Sequence, residues 1–162
     1  MVLTQEYILS LLSEIPDPEI PVISIVDLGV VRDIKITGDE VELKITPTYS
    51  GCPAMKQMED DIKKTFKVHH IDNFKIITAY SPPWTTDWMS AETKEKLRKY
   101  GIAPPEESTQ DKSFLTGQAK TVTCPRCKSK NTKLISQFGS TACKALYQCQ
   151  DCLEPFDYFK CI

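Results

Sequence analysis

Tyr7, Ile8, Leu11, Leu12 and Ile15 recur at helical spacing with Glu6, Ser10, Ser13 and Glu14 between them, which predicts a short helix covering one face of a sheet. Pro16, Pro18 and Pro21 end it, because a run of prolines cannot keep helical hydrogen bonds. Asp17-Pro18-Glu19-Ile20-Pro21 is then a stiff, extended loop that holds two carboxylates close together. From Val30 to Thr46 the pattern becomes alternation, with Ile34, Ile36, Val41, Leu43 and Ile45 apolar and Lys35, Glu42 and Lys44 polar. Gly38-Asp39 in the middle marks a turn, so this stretch predicts a β-hairpin with one buried face. Met55, Met58, Ile62 and Phe66 return to spacings of three and four and predict an amphipathic helix, with both methionines in the core. His69 and His70 follow as surface residues, and Phe74, Ile76, Thr78 and Tyr80 alternate as a third strand.

Helix, hairpin, helix and strand make an α+β domain with helices packed on a small mixed sheet. Past Pro82-Pro83, Trp84 and Trp88 lead into a charged helix over about residues 91–100, closed by Gly101 and stopped by Pro104-Pro105. The tryptophans read as core plugs or as exposed anchors for a partner, with the interface preferred. Residues 104–121 carry Pro, Glu, Ser, Thr, Gln, Lys and Gly and read as a linker. The expected organisation is therefore a domain over 1–103, a linker over 104–121 and a small module over 122–162.

That module holds the strongest chemical signal in the chain. Cys124-Pro125-Arg126-Cys127 and Cys149-Gln150-Asp151-Cys152 are two CxxC pairs, and two such knuckles close a tetrahedral four-sulfur zinc site. Thr132, Leu134, Ser136 and Phe138, a turn at Gly139, and Lys144 to Gln148 suit the β-hairpin of a zinc ribbon. A module of this size buries too little core to fold unaided, so the ion supplies stability. Cys143 and Cys161 stay outside the pairs, as packing residues or spare thiols.

Six of the seven cysteines follow residue 120, and their CxxC grouping favours metal in a reducing compartment over disulfides. No apolar run is long enough to span a bilayer and the N-terminus lacks a basic signal region, so a cytoplasmic protein without a membrane is expected. Six basic side chains against three acidic ones over 122–162, less the net charge of four thiolates and Zn²⁺, leave about +1. That is too little for a phosphate-binding face, so nucleic acid is not the expected partner.

Thr48-Tyr49-Ser50-Gly51-Cys52-Pro53 joins the hairpin to the second helix. Proline is favoured in a first helical position, which puts Cys52 at the cap, facing unpaired N–H groups and the positive end of the helix dipole. That setting favours a negatively polarised sulfur suited to nucleophilic or metal-binding chemistry. A small buried hydrophobe is the other reading of Cys52.

Asp17-Pro18-Glu19, Val26-Asp27-Leu28-Gly29-Val30-Val31 and Thr48 through Cys52-Pro53 resemble the metal-sulfur cluster biosynthesis domain of iron–sulfur assembly factors, over roughly residues 4–80. With the stretch from Trp84 to Trp88, Gly101 to Pro105, the ribbon and Phe138 to Ala145, the whole chain resembles the PaaD (PaaJ) family. Those proteins are accessory subunits of the ring-1,2-phenylacetyl-CoA epoxidase system. The resemblance implies a part in aerobic phenylacetate degradation, assembling or maintaining metal centres of the oxygenase and reductase components rather than epoxidising substrate. It also implies a site with Cys52 as cluster or metal thiolate and Thr48, Asp17 and Glu19 around it. One thiolate is a poor cage for an iron–sulfur cluster, which takes four. A transient cluster or iron site completed by a partner or a second subunit fits better, which leaves a homo-oligomer open. The competing reading is a docking subunit that holds oxygenase components together through its tryptophans and ribbon. No nucleophile, base and orienting group assemble from these motifs into an enzyme acting alone.

Overall fold

The computed structural model describes residues 2–106 and 121–160. Two compact units divide between Trp84 and Thr85.

In the first unit α1 (Gln5–Ser13) is capped by Thr4, whose side chain accepts from Tyr7 N, and it buries Ile8, Leu11 and Leu12. β1 (Val31–Thr37) and β2 (Glu40–Ile45) form the expected hairpin, in register from Thr37 opposite Glu40 to Val31 opposite Ile45, with a bulge at Arg32. The turn needs Gly38 at φ +64°, a conformation that costs glycine nothing. α2 (Ala54–Val68) carries the chain back so that β3 (Phe74–Thr78) pairs parallel to β2; a parallel neighbour requires such a crossover. The sheet is mixed, in order β1-β2-β3. Its central strand alternates strictly, burying Val41, Leu43 and Ile45. Met58, Ile62 and Phe66 of α2 are buried as the spacing predicts, and Met55 is half-buried. His69 is more than a surface residue: it ends α2 and its Nδ1 lies 3.2 Å from the Tyr7 hydroxyl.

The second unit begins with a 3₁₀ turn (Thr86–Trp88) and α3 (Ala91–Tyr100), capped by Ser90 and closed by Gly101 at φ +97°. Then comes β4 (Ile102–Ala103), which pairs parallel to β7 (Pro155–Phe159) at Asp157 and Tyr158. β5 (Thr132–Ser136) and β6 (Lys144–Cys149) complete a four-stranded sheet in order β4-β7-β6-β5. Ala103, Val122, Ala145, Tyr147, Phe156 and Tyr158 share one core with Cys124 and Cys149. Residues 85–103, which the pattern groups with the first domain, thus lie in the unit that contains the ribbon, because β4 is a strand of the ribbon's sheet. The linker expected over 104–121 falls mostly outside the described residues, as does Cys161.

Candidate functional site

The Cys52 loop sits where β2 ends and α2 begins. Pro53 occupies the cap of α2, with φ −67° and ψ −23°, and Ala54 is the first helical residue. Cys52 therefore stands one position further out than the sequence suggests. Its N–H donates to Tyr49 O at 3.3 Å, and its carbonyl accepts from Met55 N at 3.3 Å. No side chain caps α2, and Cys52 and Thr48, in the loop that leads into it, are both half-buried. Gly51 has φ +78°, and a Cβ there would meet nothing within 4 Å. Backbone conformation, not lack of space, is what calls for glycine at that position.

The acidic loop comes to the same end of the sheet through a chain of backbone bonds. Asp17 N donates to Ile23 O at 2.8 Å, Ile25 N to Ile15 O at 3.0 Å, Val30 N to Ile25 O at 3.1 Å and Thr46 N to Val30 O at 2.8 Å. Asp17 lies two residues past Ile15, and Thr48 two past Thr46. Asp17 is buried, and its Oδ1 accepts from Glu19 N at 2.9 Å and Ile20 N at 2.7 Å, so its carboxylate shapes its own loop. Glu19 is half-buried. Ser24 and Asp27 cap each other reciprocally at 3.0 and 3.1 Å. Trp84, 5 % exposed, donates from Nε1 to Leu28 O at 2.9 Å. Trp84 is thus a core plug that pins the Val26–Val31 segment, which removes it as the exposed anchor favoured from sequence. Trp88 is half-buried.

In the second unit, the sulfurs of Cys124, Cys127, Cys149 and Cys152 all lie within 4.8 Å of one another. Among the described residues this is the group of three or more His, Cys, Asp or Glu side chains that converges as a metal site; Cys52, Asp17 and Glu19 do not form another. Cys124 Sγ is 3.8 Å from Cys152 Sγ, and Cys127 Sγ is 3.5 Å from Cys149 Sγ. A tetrahedron with metal–sulfur bonds of about 2.3 Å has edges of about 3.8 Å, close to these two separations, so the group is of the size that holds a metal ion. The two knuckles fold alike. After each second cysteine comes a residue at positive φ, Lys128 at 64° and Leu153 at 63°. Cys124 N donates to Ser129 O and Cys149 N to Glu154 O.

The backbone N–H groups of Cys152 and Asp151, with neighbouring thiols, lower Cys149 from 9.0 to about 7. Cys127 receives the N–H of Ser129, but loss of water and the sulfurs of Cys149, Cys152 and Cys124 outweigh it and push the thiol up to about 12. The metal-free site thus favours charge on Cys149 while Cys127 keeps its proton. Three side-chain contacts that sequence reading missed tie one knuckle to the other. Arg126 Nη1 donates to Glu154 Oε2 at 2.5 Å, Asn131 Nδ2 donates to Asp151 Oδ1 at 2.8 Å, and Ser129 Oγ donates to Asp151 Oδ2. The available signal was complementary polar residues flanking both CxxC pairs.

Against known proteins, the chain is 49% identical, over 94% of its own length and 90% of the other's, to a protein of Escherichia coli (strain K12) assigned as one of the subunits of 1,2-phenylacetyl-CoA epoxidase. The chain belongs to the PaaD family. Residues 108–160 match the PaaD zinc beta ribbon domain, and residues 5–69 match the iron-sulfur cluster assembly protein family. This PaaD-family chain is also 33% identical to an Fe-S protein maturation auxiliary factor of Porphyromonas gingivalis, over 58% of its own length and 90% of that protein's. Among solved structures it is similar to a domain of unknown function, DUF59, from Bacillus anthracis, with a TM-score of 0.53 and 28% identity over 57% of this chain and 90% of that one. Relatives of this kind are matched over almost their whole length by little more than half of a PaaD-family chain.

Proposed function

We propose that this protein is an accessory subunit of a phenylacetyl-CoA epoxidase system and matures its iron or iron–sulfur centres, with Cys52 as the transfer ligand. The observation that carries the reading is a half-buried thiol at the uncapped mouth of α2, in a domain matching the iron-sulfur cluster assembly family. Thr48 and Glu19 are the nearby loops' candidates for oxygen donation, while Asp17 keeps the acidic loop in shape. Cys52 supplies one sulfur, so a cluster is held only in passing, completed by an oxygenase or reductase component or by a second copy of the chain.

The ribbon has a different task. Cys124, Cys127, Cys149 and Cys152 hold one zinc as a closed structural site. The two CxxC knuckles and the match to a zinc beta ribbon domain support a single ion there. A docking subunit remains the competing function, but the burial of Trp84 takes away its leading anchor.

Anaerobic reconstitution with iron and sulfide tests the division of labour. Wild type is expected to hold about one zinc and to take up iron with a visible chromophore. Cys52→Ser is expected to keep its zinc and lose the iron. Iron uptake unchanged in Cys52→Ser would defeat the proposal.

A further inference from the structure

The four clustered cysteines differ in how far they are shielded. Cys124 and Cys149 are 0 % exposed, Cys152 is half-buried, and Cys127 is exposed, so the site shows one of its sulfurs to solvent. Two close approaches run from one knuckle to the other: Cys127 Sγ to Cys149 Sγ at 3.5 Å, and Cys124 Sγ to Cys152 Sγ at 3.8 Å. The exposed sulfur therefore has a shielded one from the opposite knuckle beside it. A disulfide needs the two at about 2 Å, a movement of about 1.5 Å from where they stand. The knuckles are also tied together without their sulfurs, because Arg126 reaches Glu154 while Ser129 and Asn131 reach Asp151. These contacts keep Cys149 within range while Cys127 changes its bonding. An accessible thiolate with a second one poised to meet it is the arrangement of a redox-sensing pair.

We propose that the ribbon is a peroxide-sensitive staple, in which Cys127 is oxidised first and Cys149 resolves it, so that a Cys127–Cys149 disulfide replaces the zinc. The proposal rests on the reading of the four sulfurs as a zinc site and asks nothing of Cys52. The Cys127 thiolate attacks one oxygen of hydrogen peroxide; the S–O bond forms, the O–O bond breaks, and the departing hydroxide takes a proton from solvent and leaves as water. Sulfur has given up two electrons and is a sulfenic acid. The Cys149 thiolate then attacks that sulfur; the S–S bond forms, the S–O bond breaks, and a second hydroxide leaves as water with a proton from solvent. One peroxide is thus reduced to water while two thiolates become one disulfide. Cys124 and Cys152 alone cannot close a tetrahedral site, so the ribbon gives up the ion that its small core requires. Because the new bond joins knuckle to knuckle, it holds the two ends of the site together, and a reductant restores the four thiolates.

The test uses the full chain, reduced and purified with its zinc, whose content is measured first; a chain without zinc removes the zinc reading and this proposal with it. Hydrogen peroxide is then added near pH 7 with a coloured chelator that reports released zinc, and disulfides are mapped by mass spectrometry on peptides cut without reduction. About one disulfide is expected per zinc released, with Cys127–Cys149 the main one, and the zinc content is expected to return in full after dithiothreitol and added zinc. Cys52→Ser is expected to release zinc as wild type does. N-ethylmaleimide at limiting concentration is expected to modify Cys127 before Cys124, Cys149 or Cys152. Zinc that is present but retained in peroxide would overturn the proposal, as would a main disulfide within one knuckle, such as Cys124–Cys127. Release that disappears in Cys52→Ser would also count against it, by moving the point of attack to Cys52 while leaving the zinc site itself standing.

Discussion

Asp151 is exposed, yet its two oxygens accept from Ser129 and Asn131 of the opposite knuckle, and these bonds hold its carboxyl below the usual carboxylate range. With the folded value depressed, its contribution to stability is present above the unfolded value of about 3.9 and is lost as pH falls through the folded value. At neutral pH, Asp151→Ala is expected to leave the fold intact and weaken zinc retention about tenfold, as loss of an outer-shell partner does; competition with a coloured chelator measures it. The thiols set a second pH dependence. Zinc needs all four as thiolates, whereas Cys127 without metal lies near 12 and Cys149 near 7. Binding must therefore release protons, and affinity is expected to fall steadily as pH drops from 8 to 6; titration in two buffers of different ionisation enthalpy reads the proton count. In the first unit, Trp84→Ala is expected to cost about 3 kcal/mol or more and to free the Leu28 carbonyl, visible as a lower thermal midpoint.

Single elements were legible wherever one period ran long enough. The alternation from Val30 to Thr46 and the three-and-four spacing from Met55 to Phe66 became β1, β2 and α2, and the two CxxC pairs became the four-sulfur cluster. β4 is only Ile102–Ala103 and carries no pattern of its own; its partner β7 lies far along the chain and opens on Pro155. A non-local pairing of that kind leaves no local trace in sequence, so the boundary between units could not be read. The fate of Trp84 was hidden for the same reason, since its hydrogen-bond acceptor is the backbone of Leu28. The burial of Ala103 in the ribbon's core gives this pairing a test. Ala103→Asp places a carboxylate where its desolvation costs several kcal/mol, and it is expected to destabilise the ribbon although it lies outside 122–162. Faster zinc release would show that; release at the wild-type rate would mean that β4 contributes little.

Over the whole molecule, two units divide the chemistry: one carries a single half-buried thiol in the loop that opens a helix, the other four clustered sulfurs. Among the described residues no helix is long and apolar enough to cross a membrane. At a net charge of −2 the chain has no general attraction for polyanions. The maturation reading requires Cys52 to act on another protein's metal centre, which neither the zinc content nor the stability of this chain can report. The most direct measurement is the iron and sulfide content of the oxygenase and reductase components, purified anaerobically from cells that supply either the wild-type chain or Cys52→Ser. Fully loaded components with wild type and metal-depleted components with the variant, at equal levels of folded protein, are the expected result. Equal loading in both would contradict a maturation role for Cys52.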